Sequence, residues 1–270
     1  MEFLEYIEEA QLPVNSYDSY HSMAFDGDYY YFLLPYQART VKYNSNFEKI
    51  GSVPLRRKYS CMCYDFNYAC FWAASAKYGN KIFKLDNKLN EMDCIVFEEY
   101  QTIDKVITSI SCDPCSDSLF VSFSDQVLEL DKITGQYKVL KQTSEEWITG
   151  IVSLGWGLMV VSFIEDKQYI YFMDENGEYS KQYGMDGYVI KGVLQSFYNE
   201  ETGDICVSML AAKAGGYSYI LKTTISTPED DNIPSQSVEE DAITPSCCNC
   251  CCCHCHPCMV DGGTWDKVPC

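Results

Sequence analysis

From Cys247 to Cys258 the chain reads CCNCCCCHCHPC, eight cysteines and two histidines in twelve positions. With Cys270 added, nine of the sixteen cysteines lie in residues 247 to 270, and the other seven are scattered over residues 61 to 206. Side chains of these types at this density suit three chemistries: ligation of a soft metal, acylation by a lipid, and thiol–disulfide exchange. Geometry favours the last of these, directed outward. Adjacent Cα atoms are ~3.8 Å apart, short of the ~4.4 to 6.8 Å of an unstrained disulfide, so neighbouring cysteines pair only under strain. Oxidation therefore joins Cys247, Cys248, Cys250, Cys251, Cys252, Cys253 and Cys255 to distant partners such as Cys258 or Cys270, or to another chain. Several links per molecule build a network, because each first link raises the effective concentration for the next.

The alternative is a metal centre on Cys253, His254, Cys255, His256 and Cys258, holding zinc or copper(I). A zinc finger separates its two ligand pairs by about 12 or more residues. Here the ligands are contiguous, which fits only a metallothionein-like thiolate cluster. The two histidines are what disulfide cross-linking explains least. Lipidation is disfavoured by the acidic segment that precedes the run. On the cross-linking reading no cofactor is expected.

The chemistry elsewhere is bland. Cys112 and Cys115 form a CxxC, but the following residues, SDSLFVSF, read as turn and strand rather than the helix a redox centre of thioredoxin type would open. Cys61 and Cys63 share one face of a strand, and Cys70, Cys94 and Cys206 sit in apolar runs, as core thiols do. His21 has no second ligand at metal spacing. No GxSxG, P-loop or GxGxxG is present. Asp86, Asp131 and Asp174 recur once per repeat, as turn-forming carboxylates would. The expectation is a protein without catalytic activity.

What carries these residues is repetitive. YYFLL (from Tyr30), CFWAA (Cys70), LFVSF (Leu119), MVVSF (Met159) and ICVSM (Ile205) follow one another at 40, 49, 40 and 46 residues. VKYN, FKLD, LELD, YFMD and YILK follow each in turn, and a short β-like run, such as YSCMCY or ITSISC, precedes each. With a weaker fourth run per unit, each repeat is a four-stranded sheet. A lone sheet of this size cannot bury both faces and must stack on its neighbours, which predicts an all-β chain, a single β-propeller of five four-stranded blades over residues 1–225. The phrases LDKITG and MDENGE resemble the strand-to-turn signature of YVTN or NHL propellers, a resemblance that implies the fold and no substrate. The last unit lacks a fourth strand. The segment from Phe3 to Val14 either supplies it, closing the ring, or forms a short amphipathic helix.

Residues 226–246, with six acids and no basic or aromatic residue, form an acidic disordered linker, and residues 247–270 are the Cys-rich tail. About 20 flexible residues reach roughly 25 Å, enough to carry the tail clear of the body. A formal charge of −19 excludes nucleic acid as a partner, and no apolar run is long enough for a membrane span. MEFLEYIEEA has glutamates where a secretory signal has basic residues, so synthesis in the cytoplasm without a signal peptide is expected. Dense cysteines in a cytosolic product are a conflict of compartments. The tail resembles that of cysteine-rich proteins of the spore coat and exosporium, which are made in a mother cell and oxidised after its lysis. That resemblance implies a structural role with protein partners, through self-association or with other Cys-rich layer proteins.

Overall fold

The computed structural model describes residues 2–12, 20–34, 37–77, 79–96, 105–185, 187–198, 202, 204–213, 217–226, 258–260 and 264–266. Two N-terminal strands, β1 (Glu2–Phe3) and β2 (Ile7–Leu12), precede blade 1, which is β3 (Ser22–Phe25), β4 (Tyr30–Leu34), β5 (Arg39–Tyr43) and β6 (Lys49–Pro54). Blade 2 is β7 (Tyr59–Asp65), β8 (Cys70–Ser75), β9 (Lys81–Leu85) and β10 (Glu91–Val96). Blade 3 is β11 (Ser109–Cys112), β12 (Ser118–Phe123), β13 (Gln126–Asp131) and β14 (Tyr137–Gln142). Blade 4 is β15 (Glu146–Ser153), β16 (Leu158–Ile164), β17 (Lys167–Met173) and β18 (Tyr179–Gly184). Blade 5 takes β19 (Val189–Tyr198), β20 (Ile205–Ala212) and β21 (Ser218–Ile225). Among the described residues there is no helix, and so none long and apolar enough to cross a membrane.

The blades are antiparallel meanders in chain order, and the inner strands β3, β7, β11, β15 and β19 each touch the next, with β19 returning to β3. The chain is an all-β, five-bladed propeller. Second strands lie between blades on both faces, which is why CFWAAS of β8 is buried at every position while the outer YKVLKQ of β14 is half-buried or exposed throughout. The apolar core is correspondingly divided. One cluster fills the space between blades 2 and 3, another between 1 and 2, a third between 3 and 4, and the largest joins blades 4, 5 and 1.

Blade 5 obtains its fourth strand from the N-terminus: β2 runs antiparallel to β21, from Ile7 opposite Lys222 to Leu12 opposite Ser218. Of the two expectations for this segment, strand closure is the one realised. An unpaired β21 edge would leave a row of backbone donors and acceptors that a helix cannot satisfy. The hydroxyls of Thr223 and Tyr188 donate to the Glu5 carbonyl and the Glu8 carboxylate, and Tyr6 packs edge-on to Tyr188. β1 continues across the seam and pairs with β18 of blade 4. At the other seam Gly192 of β19 lies against blade 1, where an added Cβ would stand 2.6 Å from the His21 carbonyl oxygen.

The recurring turn residues do as their spacing predicts. Asn44, Asp86 and Asp174 each follow the third strand of a blade and Asp131 ends one, and each accepts backbone N–H bonds from residues two to four positions after it. Hydrogen bonding holds the last three below the usual carboxylate range, Asp86 chiefly through Asn90, Asp131 through Thr134 and Asp174 through Glu178.

Candidate functional site at the junction of blades 2 and 3

Of the tail residues singled out for chemistry, Cys258 opens a short strand, β22 (Cys258–Val260), paired antiparallel with β23 (Thr264–Asp266) and with no other sheet. Cys247, Cys248, Cys250, Cys251, Cys252, Cys253, His254, Cys255, His256 and Cys270 lie outside the described residues. Residues 227–246 of the expected linker do as well.

Within the body the densest polar chemistry is at the junction of blades 2 and 3. β7 ends at Asp65, whose short side chain folds over the turn that follows. Its Oδ1 accepts the backbone N–H groups of Asn67 and Tyr68 at 3.0 and 3.2 Å, and its Oδ2 accepts the Trp72 indole N–H at 3.0 Å. The same Oδ2 lies 2.9 Å from Nζ of Lys132, which comes from the β13–β14 turn of blade 3. Side chains of this pair are 1% and 2% exposed. Burial alone would lower the Lys132 ammonium, but Cys112, Asp65 and Cys63 beside it outweigh that and raise it, so it stays charged. Two further bonds tie the β7–β8 turn to the β11–β12 turn of blade 3, from Asn67 Nδ2 to the Pro114 carbonyl and from the Tyr68 hydroxyl to Asp117.

Beside this ion pair two thiols meet across the junction. Cys63 of β7 and Cys112, the last residue of β11, place their Sγ atoms 3.2 Å apart. Burial pushes the Cys112 thiol well above its ordinary range, and its contact with Cys63 adds to the effect. Cys63, Asp65, Cys112 and Ser196 line a cavity of about 40 Å³, with Met23 and Ala24 on its blade 1 side. Contributions from the inner strands of four blades place it on the ring axis, and it has room for a water molecule or two.

The expected roles of the body cysteines hold in part. Cys61, Cys63 and Cys70 are buried, and burial raises Cys61 strongly and Cys70 to about 12. Cys112 to Cys115 is a strand end and turn, as SDSLFVSF implied. The pairing of Cys63 with Cys112 and of Asp65 with Lys132 escaped the sequence reading. Only Lys132 carried a signal, standing inside the quoted LDKITG where the equivalent phrase of blade 4 has Glu175. His21 opens blade 1, its backbone N–H bonded to the Leu33 carbonyl, and burial with Lys191 nearby lowers its imidazole so that it is neutral at pH 7. Among the described residues no three His, Cys, Asp or Glu side chains converge as a metal site would require.

No family model matches the chain, and neither does any curated protein sequence. Solved structures match at the level of fold. Glutaminyl cyclase of Myxococcus xanthus aligns over 83% of this chain and 100% of its own, with a TM-score of 0.58 and 8% identity. Hydrazine synthase of Kuenenia stuttgartiensis aligns over 83% of this chain and 67% of its own, with a TM-score of 0.48 and 14% identity. The expectation of a protein without catalytic activity is corrected by the first of these likenesses: the glutaminyl cyclase, an enzyme, shares the fold over its whole length, so neither the fold nor the missing nucleophile motifs exclude catalysis.

Proposed function

We propose that the chain is an assembly protein: a five-bladed propeller of the YVTN or NHL kind docks partners, and the Cys-rich tail joins it to them through intermolecular disulfides. Its setting is a protein layer such as a spore coat or exosporium, and its partners are further copies of itself or other Cys-rich layer proteins. The observation that carries this is the closure of the ring. With β2 as the outer strand of blade 5, each of the five sheets has its four strands by Ile225, and no described strand beyond it joins them. Nine cysteines then follow an acidic segment that no blade needs. Thiols on such a tether meet other chains more readily than the buried thiols of the body do.

Extraction of the native layer tests this. The full chain should leave it only with a reductant, whereas a chain lacking residues 247–258 should be extracted equally well without one. A full chain that stays monomeric under mild oxidation, with unchanged extractability after the deletion, contradicts the proposal. Elemental analysis of protein purified anaerobically separates the metal alternative. Near-stoichiometric zinc or copper, lost with the deletion, would assign Cys253, His254, Cys255, His256 and Cys258 to a metal cluster instead.

A further inference from the structure

Hydroxyl groups link neighbouring blades around the ring axis. Ser22 Oγ of blade 1 donates to the Met62 carbonyl of blade 2 and accepts the Met62 N–H. Ser109 and Ser111 of blade 3 bond to Ile151 and Ser153 of blade 4, and Ser196 of blade 5 donates to the Ser153 carbonyl. At the junction of blades 2 and 3 sulfur takes this place. Cys61 stands four residues before the turn carboxylate of its blade, as Ser22 and Ser109 do in theirs, and its thiol lies 3.9 Å from the Ile107 carbonyl. Next to it the second contact is sulfur to sulfur, Cys63 with Cys112. A thiol is a poor hydrogen-bond donor. Reduced, this link is weaker than the hydroxyl links just named; oxidised, it would be covalent.

We infer that Cys63 and Cys112 form a reversible disulfide site that locks blade 2 to blade 3 on the ring axis. Their sulfurs need to close by only roughly 1.2 Å to reach bonding distance, and both line the cavity on the ring axis. The oxidant is a low-molecular-weight disulfide. One Cys thiolate attacks it and releases one small thiol, leaving a mixed disulfide. The second Cys thiolate then attacks the protein sulfur of that bond and releases the other small thiol. Two S–H bonds are lost from the protein and one S–S bond is gained, while two electrons and two protons leave with the small disulfide as two thiols. The neighbouring Lys132 ammonium stabilises the thiolate that each step requires. Raised Cys112 makes the reaction slow at neutral pH and faster as pH rises. The site is independent of the tail.

Peptide mapping of the full chain tests it. The protein is equilibrated with oxidised glutathione, free thiols are alkylated under denaturing conditions, and the digest is analysed by mass spectrometry. A peptide linking Cys63 to Cys112 is expected as the main body disulfide, with Cys61 and Cys70 recovered alkylated. Urea unfolding of the oxidised chain should shift to a higher midpoint, a shift absent from C63A, while reductant-sensitive multimers built by the tail persist in C63A. Recovery of Cys63 and Cys112 as separate alkylated peptides, or as peptides joined to tail cysteines, overturns the inference. Because the wild-type map decides alone, a C63A that fails to fold leaves the test intact.

Discussion

Replacement of Lys132 by methionine removes one half of a buried ion pair and keeps most of its apolar volume. Asp65 is left with the Trp72 indole and two backbone N–H groups as donors, but without a counter-charge, on a side chain 2% exposed. At 2.9 Å and an effective dielectric constant of about 20 the gross attraction is roughly 6 kcal/mol, part of which desolvation of the two ions offsets. Breaking such a pair by removing one partner costs about 3 to 5 kcal/mol. For a domain of this size that lowers the melting temperature by roughly 10 °C. Asp65→Asn keeps an acceptor for the turn and strands the ammonium instead, and should cost a similar amount. The double variant lacks both charges. In a urea double-mutant cycle it should be more stable than the sum of the two single effects implies, by about 2 kcal/mol or more. Additive single effects, within about 0.5 kcal/mol, would refute the claim that this pair couples blade 2 to blade 3.

Gly192→Ala should destabilise by about 1 to 3 kcal/mol, since the new Cβ meets the His21 carbonyl at 2.6 Å and the Ser22 Cα at 3.2 Å, while Gly51→Ala in β6, with nothing within 4 Å, should be near neutral in the same denaturation assay. Glu91 is half-buried yet lies below its ordinary range, because bonds from Arg57 and Tyr59 outweigh the effect of its partial burial. A depressed carboxylate contributes stability in full above its unfolded value, ~4.3, and loses it as pH falls through the lower folded value. Glu91→Gln should therefore cost about 1 to 2 kcal/mol at pH 7, allowing for a partly exposed Arg57, and the gap from wild type should shrink to nothing in acid. Deletion of residues 2–12 uncovers the β21 edge; light scattering should then show association that a reductant does not reverse.

The blade architecture was legible because it is local. Each run of YYFLL or CFWAA type marks a strand buried on both faces, and each Asn or Asp at the following strand end closes its own turn within four residues. Strand β10, EMDCIV, carried little signal, since its half-buried and exposed positions do not alternate and the strand is bulged between Glu91 and Asp93. The blade 2–3 junction was illegible for another reason. Cys63 and Cys112 are 49 residues apart and meet around the ring, a direction in which strand periodicity carries no register. Asp65 stands outside the recurring Asp86, Asp131 and Asp174 set; one oxygen caps its own turn and the other serves Lys132, and nothing in the spacing foretold that.

The central claim, that the tail joins chains to one another, is tested most directly with isotopes. Equal amounts of ¹⁵N-labelled and unlabelled full chain are mixed under reducing conditions, oxidised with glutathione and digested, and disulfide-linked peptides containing residues 247–270 are weighed. Intermolecular linkage predicts that about half of those peptides pair a labelled strand with an unlabelled one, as random pairing requires. Linked tail peptides that are all labelled or all unlabelled would show that each tail closes on its own chain, and the account of assembly would be wrong.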